Sequence, residues 1–434
     1  MPDRVFSFIH QPKFNIMKFK HIFALAVLMM AGITTYAQVK ISAEVRPRTE
    51  YSHGSKTPAI EDSKGSLITS QRTRLNLDFK SEDFAIGVVM QDVRNWGQER
   101  QLTANGNNVV YLHQAWAEWF MTKELSLKAG RQQLVYDDHR MLGSVGWAQQ
   151  ARSHDVALLK YTGDVNVHLG LAYHNSSLNS NIYTGPDAYK AMQYLWLNHK
   201  GDSYSASFLL MNLARPYWTD GTETEQETNN TTTIGTHIKT ELSGIKLAGN
   251  LYYQFGENPM VNGSDISAFN VSIDATAALN DKVNIGGGYE LLSGTDQEGA
   301  DKNNSFNPFF GTNHKFNGLM DYFFVGNHIN NVGLHDIYVK ANAKPGKVKF
   351  NAALHFFSAH GEMISGNQGL GTELDLFCGY SHKGKVQVDF GYSHMFASDG
   401  LYELKYSSMP EKGTNNWAWV MLTFKPTLFE SKKD

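Results

Sequence analysis

The sequence predicts an all-β protein, an antiparallel transmembrane β-barrel of about 18 strands with short periplasmic turns and long extracellular loops. Three observations predict it. Apolar and polar side chains alternate along run after run, as they do on a strand with one face in lipid and one in water. The gaps between the runs alternate between tight polar turns and longer segments. Beyond Gln38 no stretch approaches the ~18–20 consecutive apolar residues that a membrane helix needs. Composition agrees: 38 Gly, 20 Tyr and 25 Phe against 11 Pro suit strands and turns. A hydrophobic fraction of 41% suffices when only a band of the outer wall meets lipid.

The elements follow in order. Residues 1–37 form the expected signal peptide, with residues 1–16 preceding the more fitting start at Met17. Lys18 and Lys20 supply the basic start and residues 22–31 the apolar core. Thr35 and Ala37 occupy the cleavage positions before Gln38. Residues 38–425 form the barrel. Its runs lie near 38–50, 66–80, 83–93, 108–121, 124–131, 154–162, 164–174, 188–201, 203–213, 231–241, 244–256, 266–279, 282–292, 334–344, 347–357, 371–382, 384–396 and 414–425. In "QRTRLNLDF", Arg72, Arg74, Asn76 and Asp78 share one face, and Thr73, Leu75, Leu77 and Phe79 the other. "KSED", "MTKE", "TGDV", "KGDS", "ELSG", "LNDK", "KPGK" and "HKGK" are the tight turns, and the longest gap runs from Ser293 to Gly333. Residues 426–434 are expected as a C-terminal tail. Trp119, Tyr161, Tyr253, Phe356 and Phe424, near strand ends, are candidates for interfacial girdles.

The charge and the rarer residues exclude several functions. A net charge of -3 gives no basis for nucleic-acid binding. The single cysteine, Cys378, rules out an internal disulfide or a cysteine metal cluster. His113, His139 and His154 lack the spacing of metal ligands, so no metal or other cofactor is expected. Ser153, His154 and Asp155 are adjacent, but neighbours on a strand point to opposite faces, so no catalytic residue is assigned and an enzyme is not expected. The acidic segment 219–233 reads as a solvated surface loop.

"QRTRLNLDF", "QDVRNWG" (91–97), "GRQQLVYDDHRMLG" (130–143) and "ARSHDVALLKY" (151–161) follow one another as they do in the alginate export family of outer-membrane proteins, which this chain resembles most clearly over 66–175. "NNWAWVMLTFKP" is similar to that family's closing strand. The resemblance implies an eighteen-stranded barrel with an arginine-rich lumen that conducts an anionic polysaccharide. The matching positions are Arg72, Arg74, Arg94, Arg131, Arg140, Arg152 and Asp155. The chain departs from that pattern in its charge, in having no arginine after Arg215, and in the ten residues that follow Phe424.

Nine of the eleven arginines lie between Arg46 and Arg152, in the first strands and their loops, where they would make one side of the lumen positive. Guanidinium groups bind carboxylates bidentately, and a lumen with low-dielectric walls concentrates the counter-ion. The opposing reading is mutual neutralisation by Asp78, Asp92 and Glu118. The expected pore-lining set is Arg72, Arg74, Arg94, Arg131, Arg140 and Arg152. The third long gap, Gln132–Asp155, is expected to fold inward as a constriction. There Arg140 and Arg152 would face the solute, and Asp137, Asp138 and Asp155 would anchor the loop by pairing. The expected protein is a monomeric channel embedded in outer-membrane lipid and lipopolysaccharide. Its partners would be an anionic oligo- or polysaccharide or another small anionic solute, or any small solute if the pore is non-selective.

Overall fold

In the computed structural model, residues 37–431 are described apart from residue 100 and segments 103–109, 176–177, 179–181, 186–188, 220–222, 259–263 and 329–330. The signal-peptide region expected over 1–37 lies outside them except for Ala37. Every expected run is a strand: β1 Gln38–His53, β2 Ser66–Lys80, β3 Phe84–Asn95, β4 Tyr111–Phe120, β5 Leu125–Gln132, β6 His154–Tyr161, β7 Val165–Tyr173, β8 Ala191–Lys200 and β9 Tyr204–Trp218. The wall continues with β10 Gln226–Leu242, β11 Ile245–Asn258, β12 Ser264–Asn280, β13 Val283–Leu292, β14 Leu334–Ala343, β15 Val348–Ser358, β16 Gly369–His382, β17 Val386–Ala397 and β18 Asn415–Phe424. Each strand pairs antiparallel with the next, and β1 pairs with β18 from Val45↔Phe424 to His53↔Asn416, so one chain closes the wall. Closure removes the free edges that lipid could not satisfy.

Two expectations are corrected. The acidic segment 219–233 is mostly strand, because β9 and β10 rise together as a tall hairpin with Gln226 opposite Trp218. Its Thr/Asn run alternates and pairs as well as an apolar one. The segment expected as a tail carries a last strand, β19 (Thr427–Glu430), which pairs with the start of β1 at Lys40↔Glu430 and Ile41↔Phe429. Pro426, which has no N–H to give a ladder, interrupts the run between β18 and β19.

The outward face carries Leu75, Leu77, Ile86, Leu159, Leu169, Leu251, Ile273, Val339 and Leu422, all exposed on the protein surface and thus available to lipid. Trp119, Tyr161 and Phe424 stand outward at the turn end, and Tyr253 and Phe356 toward the loop end. The inward face is filled on the loop side. Residues 133–153 and 293–328 fold into the barrel, meet at a bridge between Leu142 and Phe310, and pack Leu134, Met141, Leu142, Phe309 and Phe310 against Met192, Leu209, Met211 and Leu213 of β8 and β9. Burial of this kind stabilises each large side chain by about 1.5–3 kcal/mol. It gives the two loops a core of their own inside the barrel. Two short helices, α1 (Val325–His328) and α2 (Asp399–Lys405), cap this end.

Candidate channel constriction

The strap across the lumen is built by residues that face inward from opposite walls. On β1 and β2, alternation puts Glu44, Arg46, Arg48 and Arg72 inside, all buried. Arg46 donates to the carbonyls of Gly146 (2.8 Å) and Trp147 (3.0 Å) and to Gln149 Oε1 (2.9 Å). Arg48 donates to the Trp147 carbonyl at 2.7 Å and lies 4.0 Å over the Trp147 ring. Arg72 is held by Glu44 at 2.7 Å and reaches the Gly146 carbonyl at 3.3 Å. Three guanidinium groups thus grip one short stretch of backbone. Trp147 finds its burial between His314 and Trp419, each 4.7 Å away between ring centres.

The other end of the loop is pinned across the barrel. Arg140, 1% exposed, donates to both carboxylate oxygens of Glu290 on β13 (2.8 and 2.5 Å) and to Asn317 Oδ1 (2.9 Å). Asp138 accepts from Asn250 on β11 at 2.7 Å and from the Arg140 amide at 3.0 Å. Asp137 accepts from the Trp196 indole on β8 at 3.1 Å, and burial holds its carboxyl above the usual range. Lys315 of the second loop donates to the Asp138 carbonyl at 2.7 Å, and burial holds its ammonium below the usual range. Each of these is a charged or dipolar group satisfied inside the lumen, which a buried polar group requires.

The expected pore-lining set is therefore divided. Arg72 faces the lumen but grips the strap. Arg74 faces the lumen and donates to Gln91 Oε1 at 2.5 Å, with one guanidinium nitrogen, Nη2, buried and unpaired. Arg140 is an anchor, the reverse of the solute-facing part expected for it. Arg152 donates to the Gly311 carbonyl at 3.3 Å, and burial lowers its guanidinium to about 10. Arg94 and Arg131 stand on the outward face. Arg131 opposite Asp155 continues the row Leu125↔Tyr161, Leu127↔Leu159 and Ala129↔Ala157, and the two charges pair at 3.2 Å while half exposed. Arg94 pairs with Asp92 at 2.7 Å on the same outward parity. Asp137 and Asp138 bond neutral donors on β8 and β11, whereas Asp155 pairs outside the barrel.

Arg46, Arg48 and Glu290 were missed by the site reading. The alternation of "EVRPR" in β1 places Glu44, Arg46 and Arg48 on one face and could have found the first two. His113 contacts Gln133 (3.0 Å) and Ser153 (3.3 Å), and His154 contacts Tyr189 (2.9 Å), so these groups do not converge. Among the described residues no cluster of three or more His, Cys, Asp or Glu side chains is placed to hold a metal.

Below the loops lies a cavity of about 540 Å³ between β10 and β16. Asp137, Asp138 and Lys315 form its roof, and Lys239, Asn250, Asp274, Tyr338, Lys340 and Asn351 line its sides. Three of its carboxylates are matched by cations: Glu290 by Arg140, Asp274 by Lys340 (2.5 Å), and Asp336 by His355 (2.9 Å); Asp137, Asp138 and Asp375, which also line it, accept from neutral donors. Lys239 makes no ion pair among the described residues.

Comparison with solved structures finds outer-membrane channels of the same fold. OccAB1 of Acinetobacter baumannii aligns with a TM-score of 0.60 at 13% identity, covering 91% of this chain and 97% of that one. Pseudomonas aeruginosa OpdO (0.59, 13%, covering 90% and 98%) and OccK2 (OpdF), solved in complex with glucuronate (0.59, 11%, covering 90% and 97%), are similar. No curated protein matches the sequence. The family model for alginate export matches residues 37–415. With a closed eighteen-strand wall, a lipid-facing band and a lumen narrowed by its own loops, the chain belongs to the alginate export family and has the barrel of an outer-membrane channel.

Proposed function

We propose that this channel passes small acidic saccharides and related carboxylate-bearing solutes by diffusion, and that lysines, in place of the expected arginines, meet them at the constriction. The observation that carries the reading is the cavity beneath the strap. Its volume falls in the ~300–1,000 Å³ range of small-molecule sites, and its walls mix hydroxyl, amide and ammonium groups suited to a sugar acid. Among the described residues Lys239 and Lys315 make no ion pair there, and Lys315 hangs from the roof, donating to the Asp138 carbonyl. Arg46, Arg48 and Arg72 are engaged with the strap, which leaves a passage for compact solutes while the loops are seated. The glucuronate bound by OccK2 is a solute of the same chemistry in a barrel of the same fold.

The test is the reversal potential of single channels in a salt gradient across a planar bilayer. Anion preference is expected. Lys239→Ala is expected to move the potential toward cations, by at least twofold in permeability ratio. Arg94→Ala and Arg131→Ala, on the outer wall, are expected to leave it unchanged. A wild-type preference for cations would overturn the reading and leave a general, non-selective pore.

A further inference from the structure

At one wall of the cavity, which Asp375 lines, the second inward loop wraps two buried carboxyl groups. Glu373 and Asp375 are neighbours on the inward face of β16, 0% and 5% exposed. Glu373 Oε1 accepts the Met320 amide at 2.8 Å, and Asp375 Oδ2 accepts the Leu319 amide at 3.3 Å. Ser393 on β17 donates to Asp375 Oδ1 at 2.5 Å. The turn that delivers those two amides has Asn317 and Gly318 in the left-handed region, at φ 59° and 82°. Gly318 lies so close to Glu373 that a Cβ there would stand 2.7 Å from the carboxyl carbon. The loop is thus fitted onto this pair.

The two side chains stand two residues apart on one face of the strand, so their buried carboxyls are neighbours. A hydrogen bond between them needs a proton, since two carboxylates are acceptors only. Glu373 Oε2 is fully buried and finds no donor among the described residues. A proton held between Oε2 and Asp375 supplies what that atom lacks. Nearby charge does not replace it. Arg140 is committed to Glu290, and His355 lies 2.9 Å from Asp336 but 3.8 Å from Asp375. Asp321 and Tyr322, which face Glu373 from the loop, add no cation.

We propose that the proton shared by Glu373 and Asp375 is the latch that keeps residues 317–322 seated in the lumen, making the channel proton-gated. Its loss leaves two adjacent buried carboxylates, and like charges so placed repel. The turn over Glu373 then lifts, and the loop takes Lys315 away from the Asp138 carbonyl and loosens the constriction. This rests on the channel reading above for its electrical consequence, but not for the loop movement itself.

The experiment compares wild type with Glu373→Gln between about pH 5 and about pH 10, the span in which buried carboxyls titrate. A glutamine there accepts the Met320 amide and donates to Asp375, as the protonated acid does. Two quantities are read: single-channel conductance, and hydrogen exchange of the 317–322 backbone in micelles, corrected for intrinsic rate. Wild type is expected to gain conductance at least twofold as pH rises and to lose protection at Leu319 and Met320 in parallel. Glu373→Gln is expected to keep low conductance and full protection throughout, and Asp375→Asn to behave likewise. Wild-type protection that does not change with pH, or an unchanged pH response in Glu373→Gln, would overturn the latch. Absence of any conductance alongside pH-dependent protection would sink the channel reading and leave the latch standing.

Discussion

At the scale of single residues, the position of a charge in the alternation decides what it can do. Arg140 and Glu290 are both within the lumen and close to fully buried, so removing one leaves the other charged, dry and unpaired. That situation costs about 3–5 kcal/mol. Arg140→Ala is expected to release the strap, raising single-channel conductance and its noise. Glu290→Ala should do the same, and the double variant should exceed neither, because both remove one bond; additive effects would show that the pair is not the anchor. Arg131 was legible as an outward residue from "ELSLKAGR", where it follows Leu127 and Ala129 at intervals of two. The family resemblance assigned it to the passage, and the simpler periodicity was right. The partner of Arg140 was not legible. It lies 150 residues away, and no local pattern links a loop arginine to the one carboxylate on β13.

At the scale of the element, the wall is held in register by inward glycines that sit opposite inward aromatics. Gly87 faces Trp116, Gly170 faces Tyr194, Gly235 faces Tyr252, Gly288 faces Tyr338, and Gly391 faces Trp419, each pair directly across a ladder. In every case the ring lies in the space that a Cβ would fill. Cross-strand packing of this kind adds about 0.2–1 kcal/mol per pair, and a slip by one residue would turn all the rings outward. Gly130 is different: its φ of +118° and the approach of the Trp116 Cα, 2.9 Å from an added Cβ, exclude any other residue. Gly130→Ala is expected to destabilise the β4–β5 hairpin by about 1–3 kcal/mol. A lower urea midpoint in micelles would show it, and an unchanged midpoint would contradict it. Strands and tight turns were legible because period-2 alternation and polar punctuation are local. The tall β9–β10 hairpin was not, because its Thr/Asn ladder has none of the apolar contrast on which the reading depends.

At the scale of the whole molecule, the barrel has its positive groups unevenly placed, with nine of the eleven arginines between Arg46 and Arg152 and none after Arg215, while lysines occur throughout. The arginines hold the strap to one wall, while Arg140 crosses to the opposite wall, so the two inward loops tie the barrel across its diameter. The wall itself is sealed where β1 meets β18 and β19. Val39 donates to Ser431 Oγ, and Ser431 donates to the Val39 carbonyl, both at 2.9 Å, across a sequence separation of 392. Removing residues 426–434 is expected to leave a barrel that inserts but shows a lower temperature for the gel-mobility shift between folded and unfolded forms; an identical temperature would assign β19 no part in stability. The seam also has a kinetic consequence. The first strand cannot complete its pairing until the last residues have been made, so the slowest contacts to form are those with the greatest loop-closure cost. Until then β1 presents an open edge, and the time spent in that state, more than the stability of the finished wall, sets how long the chain depends on protection from aggregation.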